Sequence, residues 1–196
     1  IESFKEMGEF FADLLNISDC DKPKILNVGC FGAIRPLKNQ LIQAIAAIQY
    51  AEKNNQILHF HINGGRVEKG AEALKNIKAL FHCSKHQLIE HPWLTHNEFL
   101  RLIQLMDIGM QVSYSESFNI VTADFVSQDV PIVVSDEIDW MPEICIVDCN
   151  DAKKIAKGMD AVLDNRSFVT RVQKIMLNEY NEDSLKAWNN LSKLHN

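Results

Sequence analysis

Residues 113–124 read Ser-Tyr-Ser-Glu-Ser-Phe-Asn-Ile-Val-Thr-Ala-Asp, and this stretch decides the class of fold. It follows an apolar run, residues 108–112, that is typical of a buried strand, and it leads into helical spacing over 118–128. A strand, a polar loop and a helix in succession form one unit of an α/β fold. The loop carries the carboxylate of Glu116 and the helix carries that of Asp124. The stretch therefore predicts a polar binding loop at the end of a strand.

The same alternation of strands and helices continues on both sides of this stretch. Strands are predicted over residues 25–28, 57–62, 86–91, 108–112 and 131–135. Helices are predicted over residues 39–53, 69–80, 96–106 and 118–128, with three more helical stretches between 151 and 194. Such alternation predicts a Rossmann-like parallel sheet with helices on both faces. We expect one domain over residues 1–196, to which a helix at 3–15 is appended.

Composition narrows the class of protein. The chain has 196 residues, of which 46% are hydrophobic and 23% are charged, as expected for one well-buried globular domain. Its formal net charge of −6 argues against a nucleic-acid partner. The five cysteines include no C-x-x-C pair, so we expect reduced thiols and a cytoplasmic location. No apolar stretch approaches the roughly 18 residues of a membrane span.

A second polar loop, residues 29–39, has the composition of a phosphate-binding turn. It reads Gly-Cys-Phe-Gly-Ala-Ile-Arg-Pro-Leu-Lys-Asn between a predicted strand and a predicted helix. Gly32 lets the backbone approach an anion, and the helix start presents free N–H groups with a partial positive charge. Arg35 and Lys38 add cations that can donate charge-assisted hydrogen bonds. The alternative is a structural turn whose two cations are solvated.

Several motifs, taken in order, resemble those of the large retaining GT-B glycosyltransferase family, of the group 1 or family 4 type. Residues 116–121, ESFNIV, resemble its E-[SG]-F-[GN]-[LI]-V signature. Residues 32–39, GAIRPLKN, resemble its Gly-Arg-Leu-x-Pro-x-Lys-Asn/Gly loop, and residues 130–135, VPIVVS, resemble its Gly-x-Pro-Val-Val-x-Ser strand. The resemblance extends over residues 24–165. It implies one half of a GT-B fold, the C-terminal domain that binds the donor.

The resemblance also implies an activity and its partners. The chain would bind a nucleotide-diphosphate sugar and transfer the glycosyl group, with retention, to an acceptor, as in polysaccharide biosynthesis. The nucleotide sugar is the substrate, and neither a cofactor nor a metal is implied. The N-terminal domain that binds the acceptor is absent from this chain, so the chain alone would be inactive. Peripheral membrane contact of the full protein stays open.

The resemblance implies roles for specific residues. Lys38 would bind the diphosphate and Glu116 would accept hydrogen bonds from sugar hydroxyls, which makes these two the candidate catalytic residues. Asp124 would hold the ribose. The other residues implied to line the donor site are Gly32, Arg35, Ser117, Phe118, Asn119 and Ile120.

Two positions depart from the family pattern and keep an alternative function open. Ala33 stands where the family usually has a second phosphate-binding arginine, which Arg35 would replace. Asp124 replaces the second glutamate of the usual pair. The alternative function is a non-catalytic nucleotide-sugar-binding module that acts with a partner.

Histidines and one tryptophan receive predictions of their own. His59 and His61 share one face of a strand, where a hydrogen-bonded pair is favoured over a metal site. Four other histidines are predicted to lie in loops and at the surface: His82, His86, His91 and His96. Trp93 follows the strand at 86–91 and is predicted either to line a nucleobase pocket or to anchor packing.

Overall fold

The computed structural model describes residues 23–193. Five strands are present: β1 (Ile25–Gly29), β2 (Ile57–Ile62), β3 (Gln87–Glu90), β4 (Ile108–Gln111) and β5 (Ile132–Val134). Six α-helices accompany them: α1 (Gln40–Lys53), α2 (Ala71–Phe81), α3 (His96–Ile103), α4 (Ile120–Ser127), α5 (Ala152–Asp164) and α6 (Arg166–Lys193). Short 3₁₀ turns occupy Pro36–Lys38 and Glu143–Cys145. The helix predicted at 3–15 lies outside the described residues.

The strands form one parallel sheet in the order β3-β2-β1-β4-β5, which confirms the predicted α/β class. Every residue of β4 and β5 is buried, as expected for parallel strands that are covered on both faces. The strand order reverses at β1, because β2 pairs on one side of it and β4 on the other. Ligands of such sheets bind at this reversal, beyond the carboxyl ends of the strands. The loops after β1 and β4 therefore face the predicted binding position.

Two glycines bring α4 unusually close to the sheet. Gly29 of β1 and Gly109 of β4 are register partners. A Cβ atom on Gly29 would lie 2.8 Å from the Phe125 ring, and one on Gly109 would lie 2.7 Å from the same ring. Phe125 of α4 is fully buried, so its ring occupies the space that the two side chains leave free. This contact fixes α4, and with it the preceding loop, against the junction of β1 and β4.

The face of the sheet opposite to α4 is covered by α1. Cys30, next to Gly29, contacts Gln43 of α1, because successive strand residues point to opposite faces. Helices α1, α2 and α5 pack beside one another on that face. Helices α3, α4 and α6 form the other layer. Helices on both faces are thus confirmed.

The end of the chain differs from the prediction of three helical stretches between 151 and 194. Two helices are present, and α6 continues through 28 residues. No glycine or proline interrupts the sequence from Arg166 to Lys193, so nothing local ends the helix. Its first half is anchored by the buried Gln173, whose amide donates to the Ile132 carbonyl at 2.9 Å. Within residues 23–193, no helix has the length and apolarity that crossing a membrane requires.

Two of the four histidines predicted for loops and the surface lie in loops but are not exposed. His86 is buried, and its Nδ1 accepts a hydrogen bond from the Leu58 N–H at 3.0 Å. Its Nε2 lies 3.1 Å from a Glu52 carboxylate oxygen. His91 is partly buried beside His61. The surface prediction was wrong for His86 and only partly right for His91, because each imidazole has a partner from a distant segment, which spacing along the sequence does not reveal.

The glycine pair gives a test of the packing. Replacing Gly109 with alanine would place a methyl group against the Phe125 ring, and overpacking of this kind costs about 1 to 3 kcal/mol of unfolding free energy. Gly65→Ala is the matched control, since its Cβ would lie 3.5 Å from the nearest atom, in ordinary contact. We expect urea denaturation to show a lower midpoint for Gly109→Ala alone. Equal midpoints would contradict the close packing of α4.

Candidate functional site

The loops after β1 and β4 are joined by direct hydrogen bonds. The Tyr114 N–H donates to the Leu37 carbonyl at 2.8 Å. Asn39, buried and in a left-handed conformation with φ of 55°, ends the first loop. Its amide donates to the Val112 carbonyl at 3.2 Å and to the Cys149 carbonyl at 2.8 Å. Asparagine tolerates the left-handed region better than most residues, so one side chain both permits the turn and ties three loops together.

Two buried glutamines complete this framework. The Gln43 amide donates to the Lys38 carbonyl at 2.7 Å and its oxygen accepts from the Val112 N–H at 3.0 Å. The Gln111 amide donates to the Phe31 carbonyl at 2.7 Å and its oxygen accepts from Asn119 at 3.0 Å. Sequence reasoning missed both residues. Each could have been found as a polar amide within an otherwise buried segment, because a buried amide must find hydrogen-bond partners.

Lys38 and Glu116, the two candidate catalytic residues, are in contact. They lie 78 positions apart in sequence, and the Lys38 Nζ forms an ion pair with the Glu116 carboxylate. The Glu116 side chain is 7% exposed and the Lys38 side chain is 21% exposed, so the pair is shielded but reachable from solvent. The structure brings a cation and an acceptor to one point at the reversal of the sheet. That arrangement can hold an anion and a hydroxyl-bearing group side by side.

The start of α4 supplies backbone donors next to this pair. Asn119, with φ of 56°, is the N-cap, and its side-chain oxygen accepts from the Thr122 N–H at 2.9 Å. Ser117 and Ile120 are exposed on either side of it. Free N–H groups at a helix start attract anions. These three predicted residues therefore lie together at the carboxyl edge of the sheet.

Phe118 takes part in a different contact. Its carbonyl accepts a hydrogen bond from the Trp140 indole N–H at 2.7 Å, and its ring stacks on Trp140 with centroids 5.5 Å apart. The ring of Tyr180 in α6 also stacks on the Phe118 ring, with centroids 5.2 Å apart. The Phe118 ring thus supports the loop from behind by packing against α6.

Asp124, the predicted ribose ligand, lies in the second turn of α4. Its side chain is 13% exposed, and its Oδ1 is 2.9 Å from Nε2 of His96 at the start of α3. His96 itself is 65% exposed, as its surface prediction requires. Nothing in the sequence predicts this partnership between residues 28 positions apart.

Gly32 and Arg35 occupy the far side of the first loop. Gly32 has φ of 111°, a conformation that favours glycine, and its N–H donates to the Asn63 side chain at 2.8 Å. Arg35 does not turn towards Lys38. Its Nε donates to the Glu68 carboxylate at 2.7 Å, and Arg66 binds the same carboxylate. These ion pairs hold the pKa of Glu68 below its usual range.

Trp93 lies beside the same cluster and is 67% exposed. The guanidinium of Arg66 lies over its ring, 5.0 Å from the centroid. Two roles were predicted for Trp93, a nucleobase contact and a packing anchor. Its exposure excludes the packing anchor. A planar, solvent-facing aromatic ring beside the Arg66 guanidinium suits a stacking role instead.

A buried histidine pair lies below these loops. His61 Nδ1 is 2.9 Å from His91 Nε2, and His61 Nε2 donates to the Asn27 side-chain oxygen at 3.3 Å. Burial, followed by the nearby His91 and His59, lowers the pKa of His61 to about 4 from its ordinary 6.5. Burial also lowers the pKa of His91. Two neutral imidazoles therefore share one hydrogen bond, and the predicted partner of His61 was wrong, since it pairs with His91 and not with His59.

Comparison with known proteins gives structural neighbours alone. No protein-family profile matches the sequence, and no curated protein sequence matches it. The C-terminal domain of a glycosyl transferase group 1 family protein from Francisella tularensis superposes with a TM-score of 0.63 and 17% identity, covering 82% of this chain and 88% of that domain. The catalytic domain of a cholesterol-alpha-glucosyltransferase from Helicobacter pylori gives 0.62 and 20%, covering 83% and 98%.

A longer neighbour shows the same fold as part of a larger chain. A UDP-forming alpha,alpha-trehalose-phosphate synthase from Burkholderia xenovorans superposes with a TM-score of 0.66 and 16% identity, covering 96% of this chain but 48% of that one. The chain therefore has the fold of the C-terminal, Rossmann-like half of GT-B glycosyltransferases, as the motifs predicted. It spans about half the length of the synthases that it matches.

Proposed function

We propose that this domain binds a nucleotide-diphosphate sugar at the junction of β1 and β4 and acts as the donor-binding half of a glycosyltransferase. The observation that carries the proposal is the ion pair between Lys38 and Glu116 at the reversal of the strand order. A nucleotide sugar presents a diphosphate and sugar hydroxyls on adjacent atoms. The ammonium group suits the first and the carboxylate suits the second.

Charge stabilisation is the chemistry that these residues supply. When the bond between the sugar and the diphosphate breaks, negative charge grows on the leaving diphosphate. Lys38 and the N–H groups at the start of α4 are held in place to stabilise that charge before it develops. Glu116 meanwhile accepts from the sugar hydroxyls and fixes the orientation of the ring. No step in this description requires a cofactor, because the diphosphate is itself the leaving group.

Transfer to an acceptor belongs to the same proposal. In the synthases of similar fold the matched half is joined to a further part of the chain, and we propose an N-terminal domain as the acceptor-binding partner of this one. Weak or no turnover by this domain alone follows from that proposal, while transfer with retention is proposed from the resemblance of residues 116–121 to the signature of the retaining family. A cytoplasmic location fits the free thiols of Cys30, Cys83, Cys145 and Cys149.

A second function is favoured by the position of Arg35. Ala33 offers no cation, and Arg35 is bound to Glu68, so it is not free to take the place of the missing arginine. A domain with a single phosphate-binding cation suits a non-catalytic module that senses a nucleotide sugar for a partner. Joining the domain to its N-terminal partner and measuring sugar release from the donor separates the two functions, because a sensor would bind the donor without consuming it.

Lys38 should carry much of the affinity for phosphate. Lys38→Gln removes the charge but keeps a hydrogen-bonding group near Glu116, so we expect it to weaken binding of UDP, GDP or ADP by about 1.5 to 3 kcal/mol, the scale of hydrogen bonds to charged groups. Titration calorimetry measures the change. Lys75→Gln is the matched control, because Lys75 is 76% exposed on α2 and pairs with Glu72. Equal loss in both variants, or none in either, would contradict the assignment.

The two carboxylates should respond to different parts of the donor. Asp124→Asn should weaken the free nucleoside diphosphate and the nucleotide sugar alike, because both contain ribose. Glu116→Gln should weaken the nucleotide sugar by about 0.5 to 1.5 kcal/mol per lost hydrogen bond while leaving the free diphosphate no weaker. Calorimetry with UDP and UDP-glucose, or the matching pair of whichever base binds, makes the comparison. Identical effects of the two variants on the two ligands would reject the separate roles.

A further inference from the structure

The carboxylate of Asp124 is held by one side chain from another helix. Among the residues that the structure describes, His96 is the sole hydrogen-bond partner of the Asp124 side chain, through Oδ1 at 2.9 Å. Its other oxygen, Oδ2, is left without a protein partner within that part of the chain. The side chain is 13% exposed, so most of it is covered by protein while Oδ2 can still be reached from solvent. A shielded acceptor with one fixed oxygen and one free oxygen is suited to a directional hydrogen bond.

His96 is itself firmly placed at the start of α3. Thr95 forms a capping box with Glu98, in which the Thr95 N–H donates to the Glu98 carboxylate at 2.9 Å. The reciprocal bond runs from the Glu98 N–H to the Thr95 hydroxyl at 3.4 Å. A capping box fixes the first turn of a helix. The imidazole therefore projects from a rigid backbone towards α4 and does not belong to a mobile loop.

The hydrogen bond from His96 matters because the Asp124 side chain is short. An aspartate has one methylene fewer than a glutamate, so it cannot follow a ligand by bending its chain. The direction of its free oxygen depends on rotation about the bond to the carboxyl group, and that torsion is broad in the absence of a partner. The hydrogen bond from His96 removes this freedom. Because an ionised carboxylate can only accept, Nε2 of His96 is the donor of this hydrogen bond.

We propose that His96 is a positioning residue for ribose recognition: it fixes one Asp124 oxygen and thereby aims the other at the hydroxyls of the ribose. The inference rests on the proposed function, since it takes the ligand to be a nucleotide. It assigns to α3 a part in selecting ribonucleotides over deoxyribonucleotides. His96 acts through Asp124, so its removal affects the ribose and leaves the diphosphate contact at Lys38 in place.

The test compares two ligands that differ by one hydroxyl. Calorimetry with UDP and 2′-deoxy-UDP, or the corresponding pair for GDP or ADP where that base binds, measures the preference for ribose. We expect the unmodified chain to bind the ribonucleotide about 3- to 10-fold more tightly, the value of one hydrogen bond. His96→Ala should lose most of this preference by weakening the ribonucleotide alone. His96→Gln, whose amide donates from a similar reach, should restore it.

His82→Ala is the matched control, because it removes an exposed imidazole beyond the end of α2. It should keep the full preference for ribose. A His96→Ala variant that keeps the preference, or that weakens both ligands equally, overturns the positioning role while leaving the proposed function intact. Failure of the unmodified chain to bind any nucleoside diphosphate overturns the proposed function and this inference together.

Discussion

The amide of Gln43 makes the pair of hydrogen bonds on which the site depends. It donates to the carbonyl of Lys38 and accepts from the N–H of Val112, so one side chain of α1 joins the end of the first loop to the end of β4. Gln43 is 1% exposed, and an unmade hydrogen bond at that depth costs about 1 to 3 kcal/mol. The loops are therefore held in register before any ligand arrives. The backbone that carries Lys38 and the backbone that leads to Glu116 cannot separate without breaking this link.

The charges of the site are already paired inside the protein. Lys38 is ion-paired with Glu116 and Arg35 with Glu68, while the Asp124 carboxylate is hydrogen-bonded to His96. A ligand that takes one partner of such a shielded pair must also satisfy the other, because a buried charge left alone is strongly unfavourable. A molecule with an anionic part and a hydroxyl-bearing part satisfies both members of the Lys38 pair at once. This requirement favours the whole nucleotide sugar over either of its halves.

The strands of the sheet could be predicted from the sequence because each strand is marked by the residues within and next to it. Apolar runs of four to six residues, each followed by a polar loop, are visible along the chain and need no knowledge of distant segments. The motif loops were likewise predicted at the edge where they lie. The prediction of three helical stretches near the end was wrong, because no glycine or proline breaks residues 166–193, which form the single helix α6.

Partnerships between distant segments could not be predicted. His86 is buried, and its imidazole accepts a hydrogen bond from the N–H of Leu58, 28 positions earlier. Arg35 is bound to Glu68, 33 positions away, which changes its expected role at the phosphate. His96 meets Asp124 across two helices. In each case the residue type allowed several partners, and the packing of the sheet and helices selected one of them.

Amide chemical shifts can locate a bound nucleotide sugar, and the proposed position is the junction of β1 and β4. Titrating the ¹⁵N-labelled chain with UDP-, GDP- and ADP-glucose should, for the sugar nucleotide that binds, cause saturable shifts concentrated in residues 29–39 and 113–124. A groove of about 750 Å³ between α1 and α5, lined by Lys53, Lys157 and Asp160, offers an internal comparison. Shifts concentrated along that groove, or no saturable shifts with any of the three, would rule out the junction of β1 and β4 as the donor site.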